Sequence, residues 1–145
     1  MPERETVERA REDAREGKSP STQAGEFVRE EMHHVREGKH GAASTKQAIA
    51  IGLSKARRAG VKLPAQGSAS TQKKAEQDAR ASQSRRKPSR TRSRATSNAL
   101  KREPRSAASR RSLSRQAKSS AVSRGKRARS VAAKKAAQTR TRRAA

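Results

Sequence analysis

The sequence predicts an all-α protein: short helices with a small helical hairpin, followed by a long intrinsically disordered basic tail. Three observations lead there. Apolar residues in the first half recur every three or four positions, the helical period. Hydrophobic residues make up only 29% of the 145, with Phe27 the sole aromatic, against a formal charge of +25. Low hydrophobicity with high net charge leaves little surface to bury and is the composition of disorder. The charge is also divided along the chain. Residues 1–38 carry ten acids and seven bases, residues 39–64 six bases and no acid, and residues 65–145 three acids and 25 bases.

Residues 1–18 read as a short charged helix, its body over 3–16. Glu, Arg and Ala favour helix there, but Val7, Ala10 and Ala14 make a thin apolar stripe that is marginal alone. Gly17 ends it. Residues 19–64 read as a helical hairpin domain. Ser19 caps a helix over 20–37, and Pro20 takes the first helical position, where its missing N–H costs nothing. Ala24, Phe27, Val28, Met32 and Val35 share one face of it, and Gly38 stops it. A six-residue link leads to Ser44-Thr45-Lys46-Gln47, a capping box with Ser44 as cap, which opens a helix over 45–59. Gly60 closes that helix, Val61 packs back on its last turn, and Pro64 forbids continuation. Gly52 sits mid-helix at a cost of about 1 kcal/mol relative to Ala, which reads as close approach of another backbone. The expected core is Phe27, Val28, Met32, Val35, Ile49, Ile51, Leu53, Val61 and Leu63. So small a core does not predict a robust domain. A partner, a homodimer through 19–64 or bound nucleic acid is expected to complete it.

At residue 65 the composition changes. Residues 64–70 form a linker, and Ala, Ser, Arg and Lys then alternate to the end. Leu100, Leu113, Val122 and Val131 are too sparse for a stripe, so 65–145 is expected to be disordered in isolation, with helix near 73–83 and 128–139 once its charge is neutralised.

A polycation inside a cell meets polyanions, and nucleic acid is the abundant one. Candidate phosphate contacts in the neck are Lys55, Arg57, Arg58 and Lys62. In the tail they begin with Lys73, Lys74, Arg85, Arg86, Lys87, Arg90, Arg92 and Arg94. They continue with Arg110, Arg111, Arg124, Lys126, Arg127 and Arg129, and end with Lys134, Lys135, Arg140, Arg142 and Arg143. Arg outnumbers Lys, which favours bidentate contact with phosphate. The tail has no aromatic ring on which a base could stack, so duplex DNA is favoured, structured RNA is possible and no sequence preference is indicated. The expectation is a non-sequence-specific, histone-like DNA-binding protein, cytoplasmic and nucleoid-associated. An RNA- or ribosome-associated basic protein and a partner-binding adaptor acting through the hairpin are the alternatives.

Other classes are disfavoured. Without Cys there is no disulfide framework and no Cys-based metal or redox site. No run of about 18 apolar residues spans a membrane, and the start lacks the apolar core of an export signal. Glu30–His34 and His33–Glu37 are spaced as helix-borne ligands can be. With no second ligand cluster, His33, His34 and His40 read as solvated surface groups, and no metal, cofactor or small molecule is expected. No nucleophile motif or Gly-rich phosphate loop is present, so no enzyme is expected. The tail serines beside Arg read as polar spacers rather than phosphorylation sites.

The segments Lys39-His40-Gly41 and Lys46-Gln47-Ala48-Ile49-Ala50-Ile51, with Ala56-Arg57-Arg58-Ala59-Gly60, resemble a small domain family of unknown function in short basic bacterial proteins. The resemblance covers about 40 of 145 residues. It implies a bacterial source, no established activity and no catalytic residue. The tail is similar in composition to the tails of linker histones and of bacterial histone-like proteins.

Overall fold

The computed structural model describes residues 2–84 and 89–144, side chains at 143 and 144 excepted. Among these, the chain forms α1 (Arg4–Arg15), α2 (Pro20–Glu37), α3 (Thr45–Arg58), α4 (Ala69–Gln83), α5 (Arg90–Arg102), a 3-10 turn η1 (Arg105–Ala108) and α6 (Arg110–Ala144), with no strand. They group into two compact units, residues 1–109 and residues 110–145.

The first three helices begin and end where their local chemistry directs. Ser19 Oγ accepts the Thr22 N–H at the start of α2, and Ser44 Oγ accepts the Gln47 N–H, 3.2 Å away, at the start of α3. Gln47 reaches one residue further back than a capping box requires, its Oε1 accepting the Ala43 N–H at 2.6 Å. All three helices end in the same left-handed glycine turn. Gly17, Gly38 and Gly60 hold φ of 70°, 79° and 97°, and the next N–H returns to the last turn: Lys18 to Asp13 O, Lys39 to His34 O, Val61 to Ala56 O, each within 3.0 Å.

The core is built of smaller residues than expected. Ala10, Ala24, Phe27 and Ala56 form its centre, with Val7, Leu53, Val61 and Leu63 packed on the rim. Phe27 and Val35 are fully buried, whereas Val28, Ile49 and Ile51 are half-buried. The cause is the crossing of α2 and α3. Gly52 lets the α3 backbone approach Val28, so Ala24, Ala48 and Ala56 fill the seam and the branched side chains lie beside it. The same chain covers the hairpin: α1 packs on α2, α4 on α3, and η1 on both.

The expectation of disorder over 65–145 does not hold. Ser68, read as linker, and Ser89, read as a spacer, are helix caps: their Oγ atoms accept the N–H groups of Thr71 and Arg92. α4 buries Ala75 and Asp78. The end of α5 and η1 return to the loop after α2 through backbone hydrogen bonds, Gly41 N–H to Leu100 O at 2.8 Å and Ala42 N–H to Pro104 O at 3.1 Å. Thr45 Oγ1 donates to Ala107 O at 2.6 Å, and Arg36 Nε to Ala108 O at 3.1 Å, over buried Ala107 and Ala108. Gly41 faces the Glu103 carbonyl so closely that no side chain fits there. These contacts use alanine and backbone, which a search for large aliphatics does not register. α6 is helical on both sides of a break at Gly125 (φ 74°, ψ 167°).

Candidate nucleic-acid interface

The candidate cations sort by what already occupies them. Lys55 turns inward. Its Nζ lies 3.2 Å from Glu30 Oε1 and 2.7 Å from Glu31 Oε2, with one fifth of the side chain exposed. Arg58 donates from Nε and Nη2 to Asp78 Oδ1, at 3.0 and 2.9 Å, and so ties α3 to the buried acid of α4. Arg57 is half-buried and its Nε finds no partner among the described residues. Lys62 is exposed. The neck therefore spends much of its charge on the fold.

The later cations are different. Lys73 and Lys74 on α4 and Arg90, Arg92 and Arg94 on α5 are exposed. So are Arg110, Arg111, Arg124, Lys126, Arg127, Arg129, Lys134, Lys135, Arg140 and Arg142 on α6, which also contains Arg143. Arg85, Arg86 and Lys87 lie outside the described residues. Among the described residues no cation of α4, α5 or α6 enters an ion pair. Arg115 and Lys118, not singled out from the sequence, are also exposed on α6. With Arg111 they fall at i, i+4 and i+7, one helix face, a spacing legible once the segment is read as helix. Beyond Gly125, Lys126, Arg127 and Arg129 point in different directions at 100° per residue. That part presents charge all round rather than as a stripe.

The acid-rich half holds a buried polar network. Glu30 and Glu31 on α2 are buried. His34 and His40 have side chains only 12% and 17% exposed, so the reading of all three histidines as solvated fails for these two and holds for His33. His34 Nε2 is 2.9 Å from Glu3 Oε1, and Lys39 Nζ is 3.1 Å from the same oxygen. Those two contacts, the His34 hydrogen bond first, hold the Glu3 carboxyl below its ordinary pKa. His40 reaches the network because the left-handed turn at Gly38 folds the following loop back on α2, a proximity that linear spacing does not reveal.

These features define an all-helical basic protein with a compact head and a cationic helix. A family of unknown function, DUF6496, matches residues 15–67, the stretch from the end of α1 through α3. No curated protein and no solved structure matches the chain. Among the described residues, no helix is long and apolar enough to cross a membrane.

Proposed function

We propose that the protein is a non-sequence-specific DNA-binding protein of histone-like, nucleoid-associated type, acting through phosphate neutralisation. The observation that carries the reading is α6. It holds thirteen cations and no acid over Arg110–Ala144, and every described one is exposed. Each phosphate neutralised by such a helix releases condensed counterions, which gives affinity without base readout. Lys73, Lys74, Arg90, Arg92 and Arg94 add exposed charge from the first unit. The absence of Trp and Tyr, with Phe27 buried, leaves no exposed phenyl, phenol or indole ring for base stacking.

The test is a salt titration of duplex binding by the full chain and by residues 1–109. With some 6–10 phosphates engaged, affinity falls about 10³–10⁵-fold between 50 and 200 mM salt, and the truncated chain loses most of it. A flat salt profile, or a truncated chain that binds as well, refutes the reading. Structured RNA that outcompetes duplex DNA at matched salt replaces it with the RNA-associated alternative.

A further inference from the structure

We infer that Glu31, His34 and His40 form a binding site for a divalent transition-metal ion of the zinc class. One potential ligand atom from each residue lies within 4.8 Å of the others. The inference stands apart from the nucleic-acid reading, and of the candidate cations only Lys55 lies beside the cluster.

The geometry follows from the chain. Glu31 and His34 are three residues apart on α2 and share a face. The Gly38 turn then brings His40 alongside, its ring edge-on to that of His34 with centroids 6.0 Å apart. Glu31 is fully buried, and among the described residues no hydrogen bond reaches either carboxylate oxygen. The charge that approaches it is Lys55 Nζ at 2.7 Å, shared with Glu30 Oε1 at 3.2 Å, and His40 Nε2 lies 3.2 Å away, both without hydrogen-bond geometry. One ammonium thus serves two buried carboxylates, Glu30 and Glu31, and a second cation at Glu31 would offset the cost of a carboxylate buried without hydrogen bonds.

Each imidazole has one nitrogen held by an oxygen acceptor, which leaves the other for a metal bond. His40 Nδ1 is 3.0 Å from Gly41 O, and a carbonyl only accepts, so Nδ1 carries the proton. His40 Nε2, 3.2 Å from Glu31 Oε1, is the nitrogen left to bind the metal. His34 Nε2 faces the Glu3 carboxylate, which also only accepts, and this leaves Nδ1 as the free nitrogen of that ring. A second ring nitrogen bonded to a carbonyl or carboxylate is the arrangement that fixes the tautomer of metal-bound histidine. Glu30 Oε1, 3.9 Å from His34 Nδ1, stands next to the cluster.

The donor set chooses the metal. Two nitrogens and one carboxylate suit zinc and its neighbours, while calcium and magnesium want oxygen alone. Donors about 2.0–2.1 Å from a tetrahedral zinc stand about 3.4 Å apart. The cluster therefore contracts on binding, and His40 moves, being on the loop. Zinc takes the place of Lys55 as the countercharge of Glu31. The partial exposure of both rings supplies the way in.

The experiment titrates zinc chloride into the full chain after chelator treatment, followed by calorimetry and by the imidazole nitrogen signals in NMR. Three histidines make those signals assignable. One zinc per chain is expected, with the His34 and His40 signals shifting, His33 unmoved and the melting temperature raised. His34→Gln and His40→Gln each weaken binding more than tenfold, and His33→Gln leaves it unchanged. Glu3→Gln, which removes the group orienting His34, weakens it about 10–100-fold. Circular dichroism checks that each variant is folded, and the NMR readout needs no variant. Signals that all shift together or not at all, or His34→Gln and His40→Gln chains that bind zinc as the parent does, overturn the assignment and leave Lys55 as the sole countercharge.

Discussion

A methyl group at Gly52 would stand 2.7 Å from the Cα of Val28 and 3.0 Å from its nitrogen, so α3 meets α2 backbone to backbone at this point. Helix propensity alone says that Gly52→Ala stabilises by about 1 kcal/mol. The obstacle is main chain and cannot swing away, so overpacking of about 1–3 kcal/mol prevails. Gly52→Ala is expected to lower stability by about 1 kcal/mol, the overpacking cost less the propensity gain, in urea denaturation at fixed salt. Gly25→Ala on α2, with no heavy atom within 4 Å of the new methyl, is the control and should raise it by about 1 kcal/mol. Both variants gaining stability would mean that the two helices do not touch here.

The helices of the first 60 residues are legible because their signals are local. A serine before each of α2 and α3 and a glycine after each of α1, α2 and α3 fix their ends within a residue or two. The close approach at Gly52 was also readable, since a mid-helix glycine calls for a reason. What linear sequence hides depends on the third dimension. Ala75, Ala107 and Ala108 carry too little surface to look like core, yet each is buried on an element that packs against the hairpin, α4 on α3 and η1 on α2 and α3. Lys55 and Arg58 look like free phosphate ligands in a basic run, but Glu31 and Asp78, 24 and 20 positions away, bind them. His34 and His40 look solvated until the Gly38 turn brings the loop back.

That division of the cations predicts different salt behaviour. Lys134 and Lys135 are exposed with no acid on their helix, so changing both to Gln should lower the log–log salt slope of DNA binding by about 2, at about 0.9 per phosphate contact. Arg58→Gln should leave the slope unchanged and instead lower stability by about 1–3 kcal/mol, because Asp78 stays buried without its donors. Anisotropy titrations at four or five salt concentrations, paired with denaturant melts, read both effects. A slope change of about 1 for Arg58→Gln, half that of the double lysine variant, would show that Arg58 is released from Asp78 when DNA binds.

Lys18 links stability to alkaline pH. Its ammonium bonds Asp13 Oδ1 and lies 2.7 Å from Glu16 Oε2, and those bonds, Asp13 first, hold its pKa above the usual lysine value of 10.5. A group raised in the folded state contributes fully below its unfolded value and loses that contribution as pH climbs through the folded one. The melting-temperature gap between the parent and Lys18→Gln should therefore be constant from neutral pH to about 9 and close above 10.5. A gap that opens on the alkaline side would contradict the pairing.

Charge repulsion within α6 is the remaining lever on its shape. Arg111 and Arg115 are like charges at i,i+4, and Arg110 and Arg111 sit at the positive end of the helix dipole, so both arrangements oppose the helix. No acid on the segment relieves them. Salt shortens the range of this repulsion from about 30 Å at 0.01 M to about 8 Å at 0.15 M. Circular dichroism of the full chain should show helix content rising with salt over that interval, and rising again on addition of duplex DNA. Arg115→Glu supplies an i,i+4 partner for Arg111, worth about 0.2–0.5 kcal/mol, and should flatten the salt response. Helix content that falls with salt in the parent would place the acid-rich network of the first unit, not α6, in control of the signal.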